Sequence, residues 1–195
     1  MVFYFSGTGN SLWVARSVAE VFSDKLIAMG DYFVRHTTKQ PVFTLSEGEK
    51  VGFISPVHAW GVPPLVKNFI QNVRFENASN PFIYAVFTCG DEAGCTRQQF
   101  QKLLKSKGWE SRHIYSVQMP NNYIVFPSFD VDAKDLEEKK KREAGELLPR
   151  LIRAIADDKP MDCYKTGSLP FLKSKLIHPM FCKYALQAKP FYVTD

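Results

Sequence analysis

Phe5-Ser6-Gly7-Thr8-Gly9-Asn10-Ser11 lies between an unbroken apolar run at residues 1–5 and a segment where Leu12, Ala15, Ala19 and Phe22 recur at helical spacing. The run before it has the composition of a short strand buried on both faces. The stretch is therefore a strand-to-helix turn. Gly7 and Gly9 let the backbone approach a ligand closely, and Ser6, Thr8, Asn10 and Ser11 offer hydrogen bonds along the same edge. The first N–H groups of the following helix converge there, and the helix dipole favours negative charge. A phosphate group fits. With no lysine, the turn fails the phosphate-loop pattern of nucleotide triphosphatases, and it also lacks the Gly-x-Gly-x-x-Gly of dinucleotide sites. A terminal monophosphate is the expected ligand, with a plain packing turn as the alternative.

Phe-Ser-Gly-Thr-Gly-Asn-Ser directly after a first strand resembles the phosphate loop of flavodoxins. More narrowly, it is similar to the flavodoxin-like domain of a bacterial and archaeal family that fuses this domain to a bacterial-type 4Fe-4S ferredoxin module. The resemblance implies bound FMN, its phosphate in the loop formed by Ser6, Gly7, Thr8, Gly9, Asn10 and Ser11.

A chain of 195 residues, 45% hydrophobic, can bury a sizeable core, and no low-complexity linker divides it. One domain over residues 1–195 is expected, with a core over 1–160 and a helical extension over 161–195. No apolar run is long enough for a membrane span and no cleavable leader is visible, so a cytoplasmic protein without membrane insertion is expected. Cys89, Cys95, Cys163 and Cys182 lack Cys-x-x-Cys spacing; they read as reduced, mostly buried thiols and can assemble neither a metal nor an iron–sulfur site. The 25 basic and 20 acidic residues give a net charge of +5, which sets the chain apart from the usually acidic flavodoxins. The cations are scattered over helix-like segments rather than interleaved with aromatics, a solvated face rather than a nucleic-acid surface. An acidic redox partner could also dock on them.

Further strands are expected at residues 25–29, 51–55, 82–89 and 109–118, and helices at 63–70, 95–107 and 130–158, the last kinked or restarted at Pro149. Residues 30–49 are polar and weakly periodic, with no clear element. A shorter helical tail covers 170–186. Strands and helices in alternation, with runs apolar on both faces, give an α/β three-layer sandwich around a five-stranded parallel sheet. The resemblance implies the flavodoxin-like order 2-1-3-4-5, which gathers the loops after strands one, three and four at one edge.

Pro56, Val57, His58, Ala59, Trp60 and Gly61 follow the third strand, where flavodoxins border the isoalloxazine ring. By that resemblance Trp60 stacks on the ring and Gly61 lets the Gly61–Val62 peptide rotate toward the reduced flavin. His58 borders the ring or is a structural loop histidine, and Trp60 read alone could also fill a core gap. Thr88, Cys89, Gly90, Asp91 and Gly94 form the third loop, whose small residues let backbone N–H groups reach the flavin's pyrimidine oxygens. Asp91 and Glu92 either bring negative charge near the ring or are solvated turn acids. No aromatic occurs between Cys89 and Gln99 to cover the second ring face, so Tyr123, Phe126 or a partner is expected there. In the fused family a segment like residues 191–195 leads into the ferredoxin module, and a redox partner such as a ferredoxin is expected.

The sequence reading is an FMN-binding electron carrier with no protein acid, base or nucleophile. An FMN-dependent NAD(P)H quinone or flavin reductase, and a non-redox module holding a phosphorylated ligand, are the alternatives.

Overall fold

In the computed structural model, five of the apolar runs pair as parallel strands; residues 1–34, 40–78, 80–123 and 130–185 are described. The strands are β1 (Val2–Tyr4), β2 (Leu26–Ala28), β4 (Lys50–Pro56), β6 (Phe82–Cys89) and β7 (His113–Gln118), in the order β2-β1-β4-β6-β7. Numbered among themselves they run 2-1-3-4-5, the expected flavodoxin-like order.

Successive side chains enter opposite cores, the period-two consequence of a pleated strand buried on both faces. Phe3, Phe53, Ala85, Phe87 and Ile114 pack on one side with α3 (Pro64–Asn72) and α4 (Thr96–Lys105). Val2, Ile54, Tyr84, Val86, Tyr115 and Val117 pack on the other with α1 (Asn10–Phe22) and α5 (Lys134–Ala156). Gly52 is dictated by this register, since a Cβ there would lie 2.4 Å from the Tyr84 ring.

Residues 30–49, unassigned from sequence, hold α2 (Asp31–Val34) and β3 (Val42–Thr44) among the described residues. β3 pairs in parallel with β5 (Arg74–Glu76) as a separate two-stranded sheet, seated on the core by Phe43, 4.8 Å from the Phe3 ring. Trp109 lies outside β7 and is buried, stacked on Phe75 at 4.9 Å. α5 does not restart at Pro149: the helix continues through it with one backbone donor fewer.

After α5 the chain runs beside β7, where Ser116 N–H donates to the Cys163 carbonyl at 3.0 Å. It then crosses to the loop after β6, whose Ala93 and Gly94 N–H groups donate to the Lys165 and Thr166 carbonyls. The tail helix follows without a break as α6 (Pro170–Leu172), a π-turn segment (Lys173–Ile177) and α7 (His178–Tyr184). The expected helix end at Leu186 lies outside the described residues.

Candidate functional site

At the turn after β1, Gly9 has φ 106°, a conformation that favours glycine, and no side chain caps α1. Gly9 N–H donates to Ser6 Oγ at 3.2 Å, folding the turn over the helix end. A Cβ at Gly7 or Gly9 would meet nothing within 4 Å, so the space over the first helical turn is open. A phosphate oxygen could occupy it and take the first N–H groups of α1. The side chains divide their work. Ser6 and Thr8 line the open edge, whereas Asn10 Nδ2 donates to the Pro120 carbonyl at 3.0 Å and Ser11 Oγ is buried against Thr88 Oγ1 at 2.7 Å. Asn122 Nδ2 donates to Thr8 Oγ1, which brings the loop after β7 to the rim.

Pro56 ends β4 and Val57 N–H donates to the Thr88 carbonyl at 2.8 Å. His58 and Gly61 then exchange backbone hydrogen bonds of 3.0 and 3.1 Å around a two-residue turn. Its centre is Ala59 (φ 43°) and Trp60 (φ 62°), where such a turn favours Asn-Gly. Two non-glycine residues at positive φ cost roughly 1–3 kcal/mol each, so the surroundings must hold them.

The tail helix does so. Ser174 Oγ donates to the Trp60 carbonyl at 2.7 Å and accepts Cys95 N–H at 2.8 Å, and His178 Nδ1–H donates to the His58 carbonyl at 2.8 Å. Lys173 Nζ lies 5.1 Å from the Trp60 ring centroid, over the indole face. Gly61 is required by close approach, since a Cβ would lie 2.5 Å from the His178 ring. The Gly61–Val62 peptide is bonded at both ends, its carbonyl to His58 N–H and its N–H to Gln99 Oε1 at 2.9 Å, so rotating it would break two hydrogen bonds.

In the third loop Thr88 and Cys89 are buried, and burial pushes the Cys89 thiol up to about 12. Gly90 faces Asn121, and Gly94 (φ 56°) lies against Trp60, whose Cβ would be 2.6 Å from a Cβ there. Both acids of this loop have a lysine partner. Asp91 is 3.4 Å from buried Lys140, which also binds Asp132 at 2.7 Å, and Glu92 pairs with Lys173 at 2.5 Å. The Lys173 hydrogen bond, then that of Ser168 N–H, holds the Glu92 carboxyl below its usual range. Burial works against the charge of Lys140, yet its hydrogen bond to Asp132 and the Asp91 charge keep the ammonium pKa raised.

His58 completes the arrangement, with Phe5 at 5.8 Å and Phe181 at 6.2 Å from its ring. Its Nδ1 is buried without a hydrogen-bond partner. Burial, then the neighbouring His178, lowers its pKa to about 4, so the imidazole is neutral at pH 7. The Tyr123 ring lies 6.0 Å from that of Phe181 at a tilt of 57°, and Phe126 lies outside the described residues.

The fold thus gathers all three sequence-marked loops and Tyr123 at the carboxyl edge of the sheet. It adds residues the sequence reading passed over: Gln99, Asn121, Asn122, Lys173, Ser174, His178 and Phe181. Their one sequence signal is Ser174 and His178, four apart within a tail of apolar residues and lysines.

Such a sheet and such an edge define a flavodoxin-like α/β domain. The family model described as Flavodoxin domain matches residues 1–121, and the chain belongs to that family. No curated protein matches the chain. Among solved structures, rubredoxin:oxygen oxidoreductase from Desulfovibrio gigas is 20% identical with a TM-score of 0.41, covering 80% of this chain and 36% of its own. The present chain thus spans about a third of that protein. A putative flavoprotein from Bacteroides uniformis is 14% identical (TM-score 0.45; 72% of this chain, 96% of its own). An azoreductase from Bacillus anthracis is 10% identical (TM-score 0.44; 82% and 97%). These likenesses are too distant to carry a function to this chain. Among the described residues no helix is long and apolar enough to cross a membrane, and no cluster of His, Cys, Asp or Glu could hold a metal.

Proposed function

We propose that this chain binds FMN and carries electrons, one or two at a time, between redox partners, an iron–sulfur protein such as a ferredoxin among them. The observation that carries this reading is the uncapped N-terminus of α1, with open space at Gly7 and Gly9 and hydroxyls on its rim. A flavin phosphate suits that cradle, which has hydrogen-bond donors and a helix dipole but no lysine.

The ring end would be held by Pro56, Val57, His58, Ala59, Trp60 and Gly61, with Thr88, Cys89, Gly90, Asp91 and Gly94 beside them and Tyr123 at the edge. The buried, partnerless Nδ1 of neutral His58 is a polar atom suited to a ligand hydrogen bond. When bound, the flavin supplies the redox chemistry. The chain positions it, shields it from water, and sets the charge around it. Lys173 offsets the charge of Glu92, while Lys140 is shared between Asp91 and Asp132.

The test is the visible spectrum of the purified protein, with mass identification of the released cofactor. Yellow protein releasing FMN is expected. A colourless protein that takes up no added FMN would overturn the reading.

A further inference from the structure

The tail helix is built inside out. Its polar Ser174 is buried and hydrogen-bonded to the Trp60 loop, while Leu169, Phe171, Leu172, Leu176, Met180 and Tyr184 are each more than half exposed. With Ile177, this short segment holds seven of the twelve large hydrophobics exposed among the described residues. A concentrated outward apolar stripe marks a surface that is covered in use.

The stripe has a basic rim. Lys175 lies over the Phe171 ring at 5.7 Å and Lys183 over the Tyr184 ring at 5.0 Å. Lys67 on α3 is close enough to act on the ionisation of His178 and Cys182. Residues 159–185 contain five lysines and one aspartate, and the acid beneath the helix, Glu92, is already paired with Lys173.

We propose that this stripe is the docking site of an acidic electron-transfer protein. Its apolar centre packs on Leu172, Leu176 and Met180, and its carboxylates meet Lys175 and Lys183. The assignment rests on the electron-carrier reading above. Because the inner face of the helix bonds to the His58 and Trp60 carbonyls, a partner on the outer face stands one helix diameter, about 10 Å, from the ring loops. An anionic membrane would match the same cations, but nothing in that contact explains why the helix is pinned to the site.

The experiment titrates the full chain with a small 4Fe-4S ferredoxin of strongly negative charge, and in parallel with phosphatidylglycerol vesicles. Saturable ferredoxin binding that weakens with added salt is expected. It should fall ~10-fold or more both in Leu176→Asp/Met180→Asp and in Lys175→Glu/Lys183→Glu, with FMN uptake as in the wild type. Absence of ferredoxin binding, or binding indifferent to both pairs of substitutions, would overturn the proposal. So would vesicle binding in place of ferredoxin binding, or sedimentation showing that the stripe pairs two copies of the chain. If the wild type takes up no FMN, the carrier reading fails, and that result is read separately from the docking titration.

Discussion

Acidification should destabilise this protein through His58 before the carboxylates of the fold are protonated. Burial, then the adjacent His178, brings the His58 imidazole to about 4, against an ordinary 6.5. Between these values the unfolded chain holds a proton that the folded chain refuses, so stability rises with pH across the window and is fully present above 6.5. Each pH step is worth 1.36 kcal/mol per proton, so this residue removes about 2 kcal/mol by pH 5 and about 3 kcal/mol by pH 4. Urea denaturation of the wild type and His58→Gln at pH 7, 6 and 5 isolates the contribution, because every other group titrates in both proteins. At a slope of about 2 kcal/mol per molar, the wild-type midpoint should drop about 1 M more than the variant's between pH 7 and pH 5. Midpoints that fall in parallel would refute a neutral, enclosed His58.

Gly61→Ala places a methyl 2.5 Å from the His178 ring and should lower stability by about 1–3 kcal/mol, read as a fall in Tm, with the tail becoming accessible to protease. Ser174→Ala removes the hydroxyl joining the Trp60 carbonyl to Cys95 N–H in a buried position; a loss of about 1–3 kcal/mol in urea unfolding is expected. Glu92→Gln should loosen the same clasp at neutral pH but match the wild type at strong acid. The depressed carboxyl of Glu92 stabilises above its unfolded pKa and loses that contribution as pH falls, so protease cleavage rates in the tail should converge there.

The main sheet was legible because most of its strands are apolar runs flanked by turn residues, and β7 keeps Ile114, Tyr115 and Val117 between polar positions. Residues such as Phe53 and Ile54, or Phe87 and Val86, feed separate cores, the pattern of a sheet covered on both faces. β3 escaped because a three-residue strand carrying Phe43 between half-exposed neighbours has too short a period to register. Of the site, the glycine-rich turn and Trp60 could be read directly. The clasp could not: Asp91 meets Lys140 of α5 across 49 residues and Glu92 meets Lys173 of the tail across 81, and only the packing of α5 and the folded path of the tail bring them together. Gly61 shows the same limit. Sequence suggests freedom for its peptide, whereas the structure gives it a steric reason, the His178 ring.

A flavin phosphate seated in the open cradle over α1 would set the affinities read by fluorescence titration of the flavin-free protein with FMN and with riboflavin, which lacks the phosphate. FMN should bind at least ~100-fold more tightly. Gly7→Asp, which has room for its side chain but fills the cradle with negative charge, should erase that preference. Equal affinities for the two flavins in the wild type, or an FMN preference that survives Gly7→Asp, would contradict the account.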